Sequence, residues 1–143
     1  MTGDLARTPD VAGRRKRLVR ICSSLPESVC EPTGVPHLAF KIRSKIFAYY
    51  LYDHHGDGRI ALWCKAPPGE QVRLVAEEPA RYFVPPYVGP KGWVGLRLDT
   101  RSVDWSAIKD LIYAAYFLTA PNSVRRKLNE ARQVGPRGGR TRG

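Results

Sequence analysis

The stretch between residues 38 and 65 constrains the fold most. Leu38, Phe40 and Ile42 alternate with Ala39, Lys41 and Arg43, the period-two pattern of a half-buried strand. A tight turn near Ser44 leads into KIFAYYLY, whose aromatic and branched residues predict a second strand. DHHGDG at 53–58 is turn chemistry. A third run then sets Ile60, Leu62 and Cys64 against Arg59, Ala61, Trp63 and Lys65. Strands joined by turns this short run antiparallel, because a parallel pair needs a long crossover.

The flanks supply helices. Thr8-Pro9-Asp10 predicts a helix start with Thr8 as cap and proline in the first turn. The helix would run to about Ser24, with Val11, Leu18, Ile21, Cys22 and Leu25 as its apolar stripe. Three prolines and a glycine make 26–36 an expected loop. Pro67-Pro68-Gly69 ends the third strand, and 70–78 predicts a short helix with Val72, Val75 and Ala76 inward. Residues 81–98, RYFVPPYVGPKGWVGLRL, read as two further strands joined by a stiff, basic, aromatic loop. Asp104 caps a long helix whose stripe is Trp105, Ile108, Leu111, Ile112, Ala115 and Tyr116. Pro121 breaks it, and 123–133 adds a further amphipathic turn or two. The expected fold is α+β in two layers: a five-stranded antiparallel sheet covered on one face by helices, in the order α-β-β-β-α-β-β-α. The expected organisation is a flexible stretch at 1–9, one domain at 10–133 and a disordered basic tail at 134–143.

A chain of 143 residues, 43% of them hydrophobic, is long enough for one core without disulfides. Three cysteines with no C-x-x-C pair favour a reducing compartment. No signal peptide is read at the N-terminus, and the longest strongly apolar run, 46–52, is far short of a bilayer span. A cytoplasmic protein without membrane contact is expected. The net charge of +11 sits at the ends: +4 over residues 1–20, +6 over 121–143 and +1 between. Basic ends favour polyanions through counterion release, and they equally suit plain solvated tails.

Alternation also specifies the side of the sheet turned away from the helices. If Leu38, Phe40, Ile42, Ile60, Leu62, Cys64, Val94, Leu96 and Leu98 face the helices, the other side carries Lys41, Arg43, Arg59, Trp63, Lys65, Trp93 and Arg97, with Gly95 among them. The second strand is open to both assignments: either Lys45, Phe47, Tyr49 and Leu51 or Ile46, Ala48, Tyr50 and Tyr52 join this face. Five cations and no anion fall on its assigned part. Such a face suits nucleic acid, cations holding phosphates and rings meeting bases or sugars. The candidate contacts are Lys41, Arg43, Lys45, Arg59, Trp63, Lys65 and Arg97 on the strands, Tyr87, Lys91 and Trp93 in the loop, and Arg125, Arg126 and Lys127 near the C-terminus.

These segments carry a family resemblance. RICSSLPESV, HLAFKIRSKIFAYY, VPPYVGPKGWVGLRL and DWSAIKDLIYAAYFLTAPNSVRRKL, spanning about residues 17–128, resemble the MmcQ/YjbR family of small bacterial proteins. The resemblance implies a two-layer fold with an antiparallel sheet. That fold is similar to secretion-chaperone-like architecture and to the "double wing" DNA-binding domain of a phage transcription activator. It implies a DNA-binding protein, possibly transcription-related, acting on duplex DNA with weak sequence preference. A protein-binding adaptor or chaperone-like module using the same face is the alternative, and a protein partner or homodimer is compatible with both.

Sharper chemistry finds little support. Asp53, His54, His55 and Asp57 have metal-donor types, but DHHGDG is also sound hairpin chemistry. Cys30 and His37 would need a third group to act as nucleophile and base. The glycines at 89 and 92 lack the strand-to-helix setting of a phosphate loop. No catalytic residue, metal site or cofactor is assigned, and a non-enzymatic role is expected.

Overall fold

The computed structural model describes residues 5–134. Helix α1 (Val11–Ser23) leads into strands β1 (Ser28–Pro32), β2 (Leu38–Ile42), β3 (Lys45–Tyr52) and β4 (Ile60–Cys64). Helix α2 (Glu70–Glu77) is followed by β5 (Tyr82–Phe83), β6 (Val94–Arg97), α3 (Trp105–Thr119) and α4 (Asn122–Val134). The strands form one antiparallel sheet of six in the order β1-β2-β3-β4-β6-β5. The fold is α+β, as expected, with one strand more than the sequence pattern predicts. The expected tail, from residue 135 on, and residues 1–4 of the stretch expected to be flexible lie outside the described residues; within 5–9, Leu5 is buried in the main core.

Strand β1 is the added element, in the stretch read as a loop. It tolerates its proline because Pro32 is the last residue of an edge strand, where a missing N–H breaks no inner ladder. The first helix also starts later than expected. Asp10, not Thr8, is its cap, and its carboxylate accepts from the Gly13 N–H at 3.2 Å. On α2 only Leu74 is buried. Val72 is 69% exposed and Ala76 is exposed, against the expected inward face.

The helix-facing side of the sheet follows the alternation. All nine residues assigned to it, from Leu38 to Leu98, lie in the main core with Leu18, Ile108, Ile112 and Tyr116 from the helices. Phe47 meets Tyr116 edge-on at 5.6 Å. Burying each such side chain contributes about 1.5–3 kcal/mol. The ambiguity of β3 is resolved by a bulge opposite Phe40 and Lys41: Phe40 pairs with Ala48, but Lys41 pairs with Ile46. The extra residue breaks the period of two. Phe47, Ala48 and Tyr50 face the helices, while Ile46, Tyr49 and Leu51 face the other way. Neither of the two expected assignments of this strand holds along its whole length.

Arginines of α1 clamp the layers together. Arg14 donates to the carbonyls of Leu98, Thr100 and Arg101, Arg15 to that of Pro36, and Arg17 lies over the Trp105 ring at 4.6 Å. Much of the basic N-terminal segment is thereby engaged in structure. Among the described residues no helix is long and apolar enough to cross a membrane.

Candidate functional site

The sheet face away from the helices carries a second apolar cluster of Leu51, Ala61, Trp63, Phe83 and Trp93, with Ile46, Tyr49 and Val88 packed against it. Cross-strand register brings the rings together. Tyr49 pairs with Trp63, and Trp63 with Gly95. Tyr49 then lies 6.4 Å from the Trp63 ring and 5.8 Å from Trp93. The two tryptophans are 3% and 6% exposed, so they are structural walls of this face rather than free stacking platforms.

Gly95 explains how the far edge closes. A Cβ there would meet the Phe83 ring at 2.4–2.7 Å. The Phe83 ring covers the bare backbone of its strand partner, a packing that only glycine permits. The Arg59 guanidinium stacks on the same ring at 4.0 Å from its centroid.

The loop between β5 and β6 folds back over this face. Val88 packs into the cluster and Gly89 is buried. Gln71 on α2 donates to the carbonyls of Gly89 and Trp93, at 2.8 and 2.6 Å, and pins the loop from behind. Tyr87, at φ 65°, stays 72% exposed. Its ring lies 6.5 Å from His54 and 6.3 Å from His55. The 87–93 segment is thus a cover with an exposed tyrosine.

The cations expected on this face divide into two groups. Most are neutralised within the chain. Lys41 pairs with Glu31 at 2.6 Å, and Arg97 holds Asp99 through two nitrogens at 2.9 and 2.8 Å. Arg59 lies 4.0 Å from Asp57. Arg43 sits in the β2–β3 turn, where it and Ser44 both have positive φ, and it grips Glu27 at 2.6 and 3.2 Å. Lys127 on α4 reaches the same carboxylate at 2.6 Å. These two hydrogen-bond donors hold the Glu27 carboxyl down at about 2. Arg125 contacts Asn122 within α4 at 3.4 Å, and Arg126 is exposed. The face is therefore not one-signed. Its anions come from β1, from the residue before it and from the loops after β3 and β6.

Lys45, Lys65 and Lys91 make up the second group. They sit at the start of β3, just past the end of β4 and just before β6, which antiparallel register places at one end of the sheet. Among the described residues no carboxylate neutralises any of the three. Partial burial, and then the charges of Lys45 and Lys91, push the Lys65 ammonium below its ordinary pKa.

On this face a pocket of about 370 Å³ runs along β3, walled by Ile46, Tyr49, Leu51, Trp63, Tyr87 and Val88, with Thr33, His37 and His54 toward the end of the sheet opposite the three lysines. The His54 ring packs on Trp63 at 5.2 Å and on His55 at 4.1 Å, and His37 lies 5.6 Å away. Burial first, then His55 and His37, lowers the His54 pKa and keeps its ring neutral at pH 7. His37 Nε2 is engaged with the Tyr52 carbonyl at 2.9 Å. Two wall atoms, Trp63 Nε1 and His54 Nδ1, are buried without a hydrogen-bond partner, which costs about 1–3 kcal/mol apiece.

Sequence reasoning did not single out the pocket. Its signals were present in DHHGDG and in the aromatic strand β3, but the loop that closes it gives no periodic cue. The turn carboxylates have local work: Asp53 accepts from the Gly58 N–H and Asp57 from that of Arg59. Among the described residues no group of three or more His, Cys, Asp or Glu side chains is placed to hold a metal ion. The Cys30 thiol packs against the main core, and burial raises its pKa, so it is no activated nucleophile.

Comparison with solved structures finds a crystal structure of a Deinococcus radiodurans protein carrying the domain DUF419. It has a TM-score of 0.63 and 23% identity, and the match covers 80% of this chain and 86% of that one. The likeness shows the shared fold. Comparison with curated proteins finds no match. The YjbR family model matches residues 23–118, from the last turn of α1 to the last turn of α3, and the chain belongs to the YjbR family.

Proposed function

We propose that this is a DNA-binding protein, acting by binding rather than catalysis, that grips phosphates with Lys45, Lys65 and Lys91 and places the 87–93 loop at the contact. The observation that carries this reading is the triad of lysines that no carboxylate among the described residues pairs with, while neighbouring cations of the same face are neutralised. Holding like charges together is unfavourable: after partial burial, the charges of Lys45 and Lys91 are what lowers the Lys65 pKa. An incoming phosphate relieves that repulsion, and release of its counterions adds to the gain. The basic stretches near both ends would add sequence-independent affinity. Three free thiols suit a reducing cytoplasm.

The test is binding of duplex DNA across a salt series. Tight binding at low salt that falls steeply with added salt is expected. Reversing the three lysines to Glu should weaken binding far more than reversing Lys16, Arg20 and Lys109, exposed cations of α1 and α3. Equal effects of the two triple variants would refute the assignment. The apolar cluster on the open face favours a second reading, a protein-binding module. Salt-insensitive capture of a partner protein, with indifference to DNA, would establish that reading in place of the first.

A further inference from the structure

We infer that the pocket on the same face as the lysines takes one unstacked nucleobase, so that the form of nucleic acid recognised is one with an unpaired base. The inference rests on the nucleic-acid reading above and narrows it. Its basis is a juxtaposition. A cavity of about 370 Å³ with aromatic walls opens on the same face as three cations that no carboxylate among the described residues pairs with, and its Ile46 and Trp63 walls lie one and two residues along the strands from Lys45 and Lys65. Lys65 follows Trp63 by two residues along β4, about 7 Å of strand. That is the scale on which a sugar separates a base from its phosphate.

The wall chemistry suits a flat heterocycle better than an aliphatic ligand. Tyr49 and Tyr87 offer ring faces, and stacking on aromatics tolerates any base. Trp63 Nε1 is a donor with no partner, in a residue 97% buried. His54 Nδ1 is likewise unpartnered, and a neutral imidazole donates or accepts according to tautomer. A base edge carries both donors and acceptors and would satisfy both atoms, as in enzymes that read an extruded base. Both atoms are sealed from solvent, so the rings of His54, His55 and Tyr87, which meet edge-on, must part to admit the base. Tyr87, already 72% exposed, is the ring freest to move.

The experiment compares three short fluorescent oligonucleotides at fixed salt: a fully paired duplex, the same strand alone and that strand with abasic sites in place of its bases. The single strand should bind about tenfold more tightly than the duplex, and the abasic strand should lose about tenfold, the effect of one stacked base. Trp63→Phe, which keeps a ring and removes the N–H, should weaken binding of the base-bearing strand several-fold and leave the abasic strand and the salt slope unchanged. Tyr87→Ala, at an exposed position, should do the same without risk to folding. If the abasic strand binds as tightly as the base-bearing one, with steep salt dependence retained, the pocket assignment fails and the phosphate reading stands. If none of the three binds at low salt, both fail.

Discussion

The two faces of the sheet are both apolar, yet they are built differently. On the helix side the core is continuous and larger; its buried Thr119 donates to the Ala115 carbonyl, and the Tyr50 hydroxyl is buried in it without a partner. On the open side the apolar cluster is smaller, is closed by a loop rather than a helix, and retains two unpartnered wall atoms, on Trp63 and His54, on the same face as the three lysines. A buried polar group without a partner costs stability. On the open face two of them share one wall, on the surface to which the proposed binding is assigned.

Breaking the helix-side face should give the largest effect. Phe47→Ala removes a fully buried ring that packs on Tyr116 and Phe40. It should cost about 3–5 kcal/mol in denaturant unfolding, with DNA affinity per folded molecule unchanged. The lysine triad gives the opposite signature. Lys45→Glu, Lys65→Glu and Lys91→Glu together should lower DNA affinity roughly a hundredfold at low salt and reduce the slope of log K against log salt by about 2.7. Stability should move by less than about 0.5 kcal/mol, as for other surface changes.

The helix-side face was legible in the sequence and the open face was not. Strict alternation in β2, β4 and β6 assigned all nine core residues correctly, because a period of two leaves no freedom once one face is buried. Strand β3 resisted because both its faces are apolar, and the bulge that decides it depends on pairing with β2. Strand β1 was hidden by prolines that an edge strand accepts. Missing it hid the anions as well, since Glu31 lies in β1 and Glu27 immediately before it, while their partners Lys41 and Arg43 are ten and sixteen residues further on. The pocket depends on where 84–93 folds back, which Gln71 fixes from another element. Such long-range tethers leave no local pattern.

Two smaller changes sharpen the contrast. Gly95→Ala forces the Phe83 ring off the backbone and disturbs the Arg59 stack. About 1–3 kcal/mol of destabilisation is expected, readable as a shift of the denaturation midpoint. The smallest effect belongs to Glu27. Its carboxyl, held at about 2 against a usual 4.5, stays ionised in the folded chain when the unfolded chain takes up a proton. Its contribution is present above pH 4.5 and is lost as the pH falls from there toward 2. Stability curves of wild type and Glu27→Gln should therefore differ slightly at neutral pH and converge over that acid range.

The most direct measurement is a salt series of duplex DNA binding by the wild-type protein, by the Lys45/Lys65/Lys91 triple variant and by the Lys16/Arg20/Lys109 control. A steep salt slope that the first variant flattens and the control largely preserves is the predicted result. Binding that ignores salt, or that both variants weaken alike, would contradict the assignment of the open face.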